Sequence, residues 1–583
     1  MAARRFWAGV GLLWLLAAAA YLIACAGSIA AWDFPDSDDR LRLVEVRDWL
    51  GGQAWRDVSQ HRLNAPWGAS MHWSRLVDLP IAAIIVMLRP LIGASGAEQA
   101  AVLIVPALTL GIAMGLAAAL GRRLIGPRTG LGAALLLPLT TGAMQQLRPL
   151  RIDHHGWQMV LALGLVLNLL DRDARRGGRI AGALAAVWLT ISLEGLPVCA
   201  AAGVLLGWRW LTSGDAEAGA RLRGFAGTLP LTAALVFALL RPAADWRAPV
   251  CDALSPVHLL ALGAIALSLW AATLAGRTLA IRAGALALAG AVAAALYVGL
   301  APACTRGAFA ALDPLVQRHW YQNVLEGLPV WRIGWPAAAS AIGWPLVALA
   351  SGWMARARSA DRSTWADYLF MLLAATLATA LVQRAGAVAN VLALPAGGAL
   401  MAAVFARVDR LPPGAVRVLG STGALLLTLP PAPALAVQWI DALRHRPEAK
   451  SPAGADALPC DTTRNLATAA LLPRSNVMAG IDLGPGLLMT TSHRVVASAH
   501  HRNVAGLHDT LATFLGTPEQ ARAILARRRI AWLVACPASA EMTYYRETAP
   551  RGFWAQLAGG RRLAWAERVR LPGSTLSVWR IRR

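Results

Sequence analysis

Several short stretches of this chain carry the side chains that acid–base or metal chemistry requires. Residues 33–48 read Asp33-Phe-Pro-Asp36-Ser-Asp38-Asp39-Arg-Leu-Arg42-Leu-Val-Glu45-Val-Arg47-Asp48. Asp36 or Ser37 can cap a helix running to Leu50, which Gly51-Gly52 ends, and acids in the first turn suit the helix dipole. Capping accounts for one or two carboxylates where three stand, so Asp36 and Asp38 are candidates for catalysis. A second run, Arg151-Ile-Asp153-His154-His155, reads either as a cap followed by two interfacial histidines or as oxygen and nitrogen ligands for a divalent metal. Its spacing lets Asp153 and His155 converge. A third, Asn323-Val-Leu-Glu326-Gly-Leu-Pro329, offers one carboxylate in a loop, which by itself is ordinarily just solvated. Near the C-terminus, Thr491-Ser-His493-Arg494 and His500-His501-Arg502-Asn503, with His508 beyond, fit no closed zinc ligand spacing. A polar binding surface for an acceptor or for lipid phosphates is expected at His493 and His501, with simple surface histidines an equal reading.

The elements that must position these groups follow from composition. The chain has 583 residues, 57% hydrophobic and only 15% charged, with apolar stretches recurring from residue 6 to roughly residue 432. Such stretches are long enough to cross about 30 Å of hydrocarbon, and they are Ala/Leu-rich rather than alternating, so they form helices and not barrel strands. The formal charge of +23 is almost all arginine, Lys450 being the only lysine. The arginines sit in short loops: Arg4–Arg5, Arg122–Arg123–Arg128, Arg172–Arg175–Arg176–Arg179, Arg277–Arg282, Arg356–Arg358–Arg362 and Arg407–Arg410. That is the positive-inside pattern and needs no nucleic acid as partner.

With each arginine cluster placed inside, the chain follows a path of about 13 spans. They lie near residues 6–31, 98–120, 130–147, 157–170, 180–196, 198–211, 225–240, 257–275, 283–300, 336–354, 365–382, 386–405 and 416–432. The first is too long for a signal-peptide core and no small-residue cleavage site precedes Asp33, so it is read as uncleaved. External loops then cover 33–97 and 302–335, and Leu79–Met87 is expected to lie in or dip into the interface. The division is a membrane domain over 1–435 and an external α/β domain over 440–583. In that domain Thr517-Pro518-Glu519-Gln520 reads as a capping box, and Leu563–Val569 with Thr575–Ile581 as a hairpin turning at Pro572-Gly573-Ser574.

On this path all the acidic motifs fall outside. Glu194, in Ser192-Leu-Glu194-Gly-Leu-Pro197, lies near the outer end of a span, where ionisable groups face the bundle interior. Arg384, beside Gln383 at another external end, is either an interfacial anchor or a phosphate ligand. Trp32, Trp49, Trp55, Trp67 and Trp73 fall in the first loop and Trp320, Trp331 and Trp335 in the second, so both loops are expected to lie on the lipid headgroups, with membrane lipids as partners. An oxidising external compartment permits two disulfides, Cys460–Cys536 and Cys251–Cys304.

These ordered motifs resemble the catalytic subunit of the oligosaccharyltransferases, in the GT-C class of membrane glycosyltransferases. In that family an Asp in the loop after the first span precedes an Arg by six residues, as Asp36 precedes Arg42; Pro66-Trp-Gly68 resembles its later Pro-x-Gly. Counting from Arg47-Asp48 selects Asp38 instead. Asp153-His154-His155 stands where archaeal members carry Asp-His-His, and Val324-Leu-Glu326-Gly-Leu-Pro329 resembles the family's loop glutamate motif. Arg384 corresponds to an arginine that holds the donor phosphate. The resemblance spans roughly the first 400 residues and implies a GT-C-like, all-α polytopic fold with a small external α/β domain.

It further implies a metal-dependent enzyme that moves a sugar or glycan from a polyprenyl-(di)phosphate donor to an external glycan, lipid or protein acceptor. Mn²⁺ or Mg²⁺ would be held by Asp36, Asp153, His155 and Glu326, with Asp36 or Asp38 as base or ligand and Arg384 and Arg42 on the donor phosphate. His154, Glu194, His493 and His501 complete the polar candidates. The family's Trp-Trp-Asp signature, which reads the acceptor sequon, is absent, which sets protein N-glycosylation apart from lipid-linked sugar transfer in general. The setting expected is the cell inner membrane, with the active side periplasmic. Two other readings compete: a transporter or flippase of lipid-linked precursors, and a non-catalytic subunit of an envelope-assembly complex. Transporters place charges at mid-membrane and show internal repeats, neither of which is seen here, and no P-loop occurs.

Overall fold

The computed structural model describes residues 3–275, 278–307, 309, 312–444 and 460–582. Arg277, used above to orient the chain, lies outside the described residues, as does the stretch 445–459 at the start of the expected external domain, with Lys450. The chain is a multi-pass helical bundle. Among the described residues eight helices are long and apolar enough to cross a membrane: Ala3–Ala24, Arg75–Leu124, Leu193–Ser213, Ala216–Leu240, Pro256–Leu274, Leu279–Leu300, Trp335–Arg358 and Arg362–Leu381. Two pairs bent by 49° and 89°, Gln383–Leu392 with Leu394–Val408 and Ala415–Thr428 with Ala432–Arg444, bring the number to ten. The remaining expected passes fall on Pro127–Leu136, His155–Leu169 and Ala174–Ile191. These helices are short or carry arginines, and His155–Leu169 is buried over most of its length, so protein and not lipid surrounds it.

Close helix packing rests on small residues. A Cβ at Gly178 or Gly182 would collide with the backbone carbonyls of Arg221 and Phe225, so Ala174–Ile191 and Ala216–Leu240 touch backbone to backbone. Leu79–Met87, expected as a separate interfacial segment, belongs to the 50-residue helix Arg75–Leu124. That helix starts at the Ser74 cap and breaks at Gly93, whose φ of 75° only glycine adopts without strain. The irregular part of the first loop therefore ends at Ser74 rather than near 97.

The two ends of the bundle differ in chemistry. At one, Arg123 donates to the Leu170 carbonyl (3.1 Å), Arg221 to that of Leu169 (2.8 Å), and Arg209 pairs with Asp367, around a cavity of about 360 Å³. Arg172 lines the same cavity. The acidic motifs gather at the other end, under the C-terminal domain.

That domain is a five-stranded sheet of order β2-β1-β3-β5-β4, with β1 Asn476–Ala479, β2 Arg494–Val495, β3 Ile530–Ala535, β4 Ala566–Val569 and β5 Ser577–Ile581. The first three run parallel, and β4–β5 is the expected hairpin. Thr517 and Gln520 form the reciprocal capping box. The domain is not free-standing. Val495 donates its N–H to the Arg62 carbonyl (2.8 Å) and accepts from Ala65 (3.0 Å), so the first loop adds to the sheet edge at β2. Phe34, Leu41, Val44 and Trp73 share one buried core with Val477, Leu487 and Val534. Both expected disulfides are present, Cys251–Cys304 between loops and Cys460–Cys536 inside the domain.

Candidate active site

The helix Ser37–Leu50 opens with Asp36 as its cap, the side chain accepting from the Asp38 amide at 3.0 Å. One residue on, Asp39 is fully buried and reaches the second motif: Oδ1 accepts the amides of Ile152 (2.8 Å) and Asp153 (3.0 Å), and Oδ2 takes Arg151 Nη1 (2.9 Å). Arg151 is the hub. It also bonds Asp36 (2.7 Å) and Asp153 (2.9 Å), and donates to Gln146. Asp153 in turn caps the helix His155–Leu169, accepting the His155 amide on Oδ1 at 3.0 Å. Because His154 and His155 start that helix, their rings lie side by side 4.3 Å apart with their backs to the bundle core.

A second ion-pair chain faces this one. Glu194 takes Arg384 Nη1 on one oxygen (2.9 Å) and Gln158 Nε2 on the other (2.8 Å), while Trp188 Nε1 fixes the Gln158 carbonyl (2.9 Å). His155 Nδ1 and His154 Nε2 stand 3.9 and 4.0 Å from the Gln158-bound oxygen of Glu194. The other side of Arg384 holds Glu326 at 2.5 Å, and the amide of Gln383 docks the Glu326 loop through the Leu328 carbonyl (3.1 Å). A crevice of about 10 Å³ is lined by His155, Gln158, Glu194 and Arg384 together with Trp188, Val198, Ala375 and Val388.

Among the described residues the arginines paired with Asp36, Asp39, Asp153, Glu194 and Glu326 are Arg151 and Arg384, and Asp38 adds a further acid, an excess of negative charge in a partly dehydrated site. Asp38 shows the consequence. Among the described residues its carboxylate has neither a hydrogen-bond nor an ion-pair partner. Burial, and then Asp36, Asp153 and Glu326, push its pKa well above the usual carboxylate range, with Arg384 opposing. For Asp153, burial acts upward, but Arg151 and the two histidines outweigh it and hold the carboxyl below that range. Burial and His155 lower His154 to about 3, so its imidazole is neutral and available as a ligand, and its buried Nδ1 has no partner.

The residues present fit a divalent cation. Ligand atoms of Asp153, His154 and His155 all lie within 4.8 Å of one another, Asp38 is near enough to feel the Asp153 charge, and oxygen with imidazole nitrogen suits Mn²⁺, Mg²⁺ or Zn²⁺.

Eight expected residues thus come together: Asp36, Asp38, Asp153, His154, His155, Glu194, Glu326 and Arg384. Three do not. Arg42 is completely buried, paired with Asp78 at 2.9 Å and packed under Trp73, so no donor phosphate reaches it. Arg42 lies one helical turn from the buried Asp39, on the face of Ser37–Leu50 that is turned inward. His493 is buried inside the C-terminal domain between the Ser475 amide (3.2 Å) and the Ala469 carbonyl (2.9 Å), which removes it from any binding surface. His501 belongs to another cluster, on Asp252. Trp73 is likewise core and not headgroup contact, whereas Trp67, Trp331 and Trp335 are exposed. Sequence reasoning passed over Asp39, Arg151 and Gln158. Their signal was adjacency: each lies within three residues of one already singled out.

No protein-family model and no curated protein matches the chain. Solved structures do. The archaeal oligosaccharyltransferase AglB from Archaeoglobus fulgidus, in complex with an inhibitory peptide and a dolichol-phosphate, superposes with a TM-score of 0.65 at 15% identity, covering 99% of this chain and 74% of that one. Its apo form gives 0.64 at 15% identity over 93% and 71%, and its complex with Zn and sulfate 0.59 at 14% over 97% and 72%. This chain is a multi-pass membrane protein with the fold of these archaeal oligosaccharyltransferase structures.

Proposed function

We propose that this protein transfers a sugar or glycan from a polyprenyl-phosphate or diphosphate donor to an acceptor on the non-cytoplasmic face of the inner membrane, with a divalent cation as cofactor. The reading rests above all on one observation: carboxylates and histidines from four separate segments converge at one end of the bundle with far fewer cations than acids. The AglB structure holds a dolichol-phosphate, and the fold likeness makes a lipid-linked donor the natural substrate class here.

A bound divalent ion would be held by Asp153 and His155 with Asp36 or Asp38 and Glu326, and would supply Lewis-acid stabilisation of the departing phosphate. The chain's own groups do the rest. Arg384 offers a planar fork for the phosphate beside the polar side chains of His155, Gln158 and Glu194. Glu194, locked by Gln158 and Trp188, orients that fork. Glu326 is bonded to Arg384 through Oε1 alone in this structure, which leaves Oε2 as the oxygen for the ion. Of the two first-loop candidates, Asp38 is the better base or ligand, because Asp36 is committed to the helix cap and Arg151.

The test is turnover by purified protein of polyprenyl-linked sugars with and without Mn²⁺, following release of the polyprenyl phosphate and the glycosylated product by mass spectrometry. Transfer is expected to need Mn²⁺ and to vanish in Asp153→Asn and Glu326→Gln. Movement of intact lipid-linked sugar across a liposome bilayer without cleavage would replace this reading by a flippase.

A further inference from the structure

Away from the acidic site, a group of imidazoles sits where three segments meet. His72 comes from the first loop, Asp252 from the loop between Ala216–Leu240 and Pro256–Ala275, and His500 and His501 from the C-terminal domain. Ligand atoms of His72, Asp252 and His501 all lie within 4.8 Å of one another. His72 Nδ1 meets His500 Nε2 at 2.9 Å, and the rings of His72 and His501 are 4.7 Å apart. His500 is buried, and its Nδ1 has no partner.

From this geometry we infer a second metal site, a structural zinc site formed by His72, His501 and Asp252, with His500 behind His72. The atoms divide consistently. His72 commits Nδ1 to His500 and so has Nε2 for the metal, the arrangement in which a ligating histidine is oriented through its other nitrogen. His501 Nε2 touches Asp252 Oδ2 at 2.7 Å, and a cation between them replaces that contact with two coordinate bonds. Asp252 has lone pairs to spare: Arg502 takes one on each oxygen, at 2.6 and 2.8 Å, and fixes the carboxylate from outside. Two imidazoles and a carboxylate are a zinc donor set that leaves a fourth position for water. The Cys251–Cys304 disulfide anchors the residue next to Asp252, so the ligand is presented by a loop already tied down.

The site clamps the C-terminal domain to the bundle at a place distinct from the acidic cluster. No residue is common to both, so the two proposals fail separately. Of the run 493–508 only His501 contributes to this set, and its two partners come from hundreds of residues away.

The experiment uses the full chain in detergent carrying Asp153→Asn and His155→Ala, which disables the acidic site, and titrates it with Co²⁺ and then Zn²⁺. One equivalent of Co²⁺ should bind with the visible absorption of a four-coordinate site, be displaced by Zn²⁺, and slow proteolytic release of the 460–582 domain. His501→Gln, which keeps the size and a hydrogen bond to Asp252, and His72→Ala should abolish the spectrum. His500→Ala should weaken binding about 10–100-fold, the usual cost of losing an orienting partner. Absence of a Co²⁺ spectrum in the unsubstituted-cluster background overturns the site without recourse to any variant, and so does a spectrum unchanged by both His501→Gln and His72→Ala.

Discussion

Asp153→Asn is the substitution whose consequences the structure defines best. Asparagine keeps an oxygen for the His155 amide, so the helix start survives, but one oxygen can no longer serve both that amide and Arg151. Losing a charge-assisted hydrogen bond costs about 1.5–3 kcal/mol, and relief of repulsion among the remaining carboxylates offsets part of it. Arg151 retains Asp36 and Asp39, so the hub does not collapse. The metal-linked effect is larger and of known form. At a free Mn²⁺ concentration of 100 Kd the wild type gains about 2.7 kcal/mol, whereas a variant whose Kd has risen a hundredfold gains only about 0.4 kcal/mol at the same concentration. Thermal unfolding followed by tryptophan emission, for which the chain has 24 reporters, should therefore show an Mn²⁺-dependent rise in midpoint for wild type and almost none for the variant. Sugar transfer should be lost as well. An Asp153→Asn protein with the wild-type Mn²⁺ shift and wild-type transfer would refute the shared metal, leaving likeness of fold alone.

Three further outcomes are expected. In a background without native cysteines, a cysteine introduced next to Asp153 or Glu326 should react with an impermeant thiol reagent from outside, and one next to Arg175 should not; labelling of Asp153 from the inside only would break the topology. Non-reducing peptide maps of protein from its native membrane should contain Cys251–Cys304 and Cys460–Cys536, each stabilising by about 2–4 kcal/mol, and four free thiols would contradict this. Glu45 is buried with both carboxyl oxygens unpartnered, and burial, reinforced by Asp78 and opposed by Arg42 and Arg75, raises its pKa to about 8. The folded state therefore keeps a proton that the unfolded chain gives up above its ordinary value of 4.5, so stability from this group is full at low pH and is lost as pH rises from about 4.5 to about 8. Glu45→Gln should flatten the midpoint-versus-pH curve across that window, and an unchanged slope would show that Glu45 does not titrate there.

The bundle was legible in the sequence because hydrocarbon allows few solutions. An apolar run of sufficient length has to be a helix, and arginines in the connecting loops set the alternation, so the path from Ala3 to Thr428 follows from local composition. Its weak points are where protein replaces lipid around a helix: His155–Leu169 and Ala174–Ile191 are shorter or more polar than a span exposed to lipid. The capping box at Thr517 and the β4–β5 hairpin were equally local. The acidic motifs could be found because carboxylates and histidines are rare in such a chain, but their partners could not. Arg42 and Arg151 both stand near acids in sequence; only packing decides that Arg42 is sealed under Trp73 with Asp78 while Arg151 ties three aspartates together. The same holds for His493 and His501, eight residues apart in one run, one closed inside the domain core and the other brought against Asp252. Side-chain identity sets what a residue can do, and which ion pairs form across 100 to 250 residues is set by how the helices and the C-terminal domain close around them.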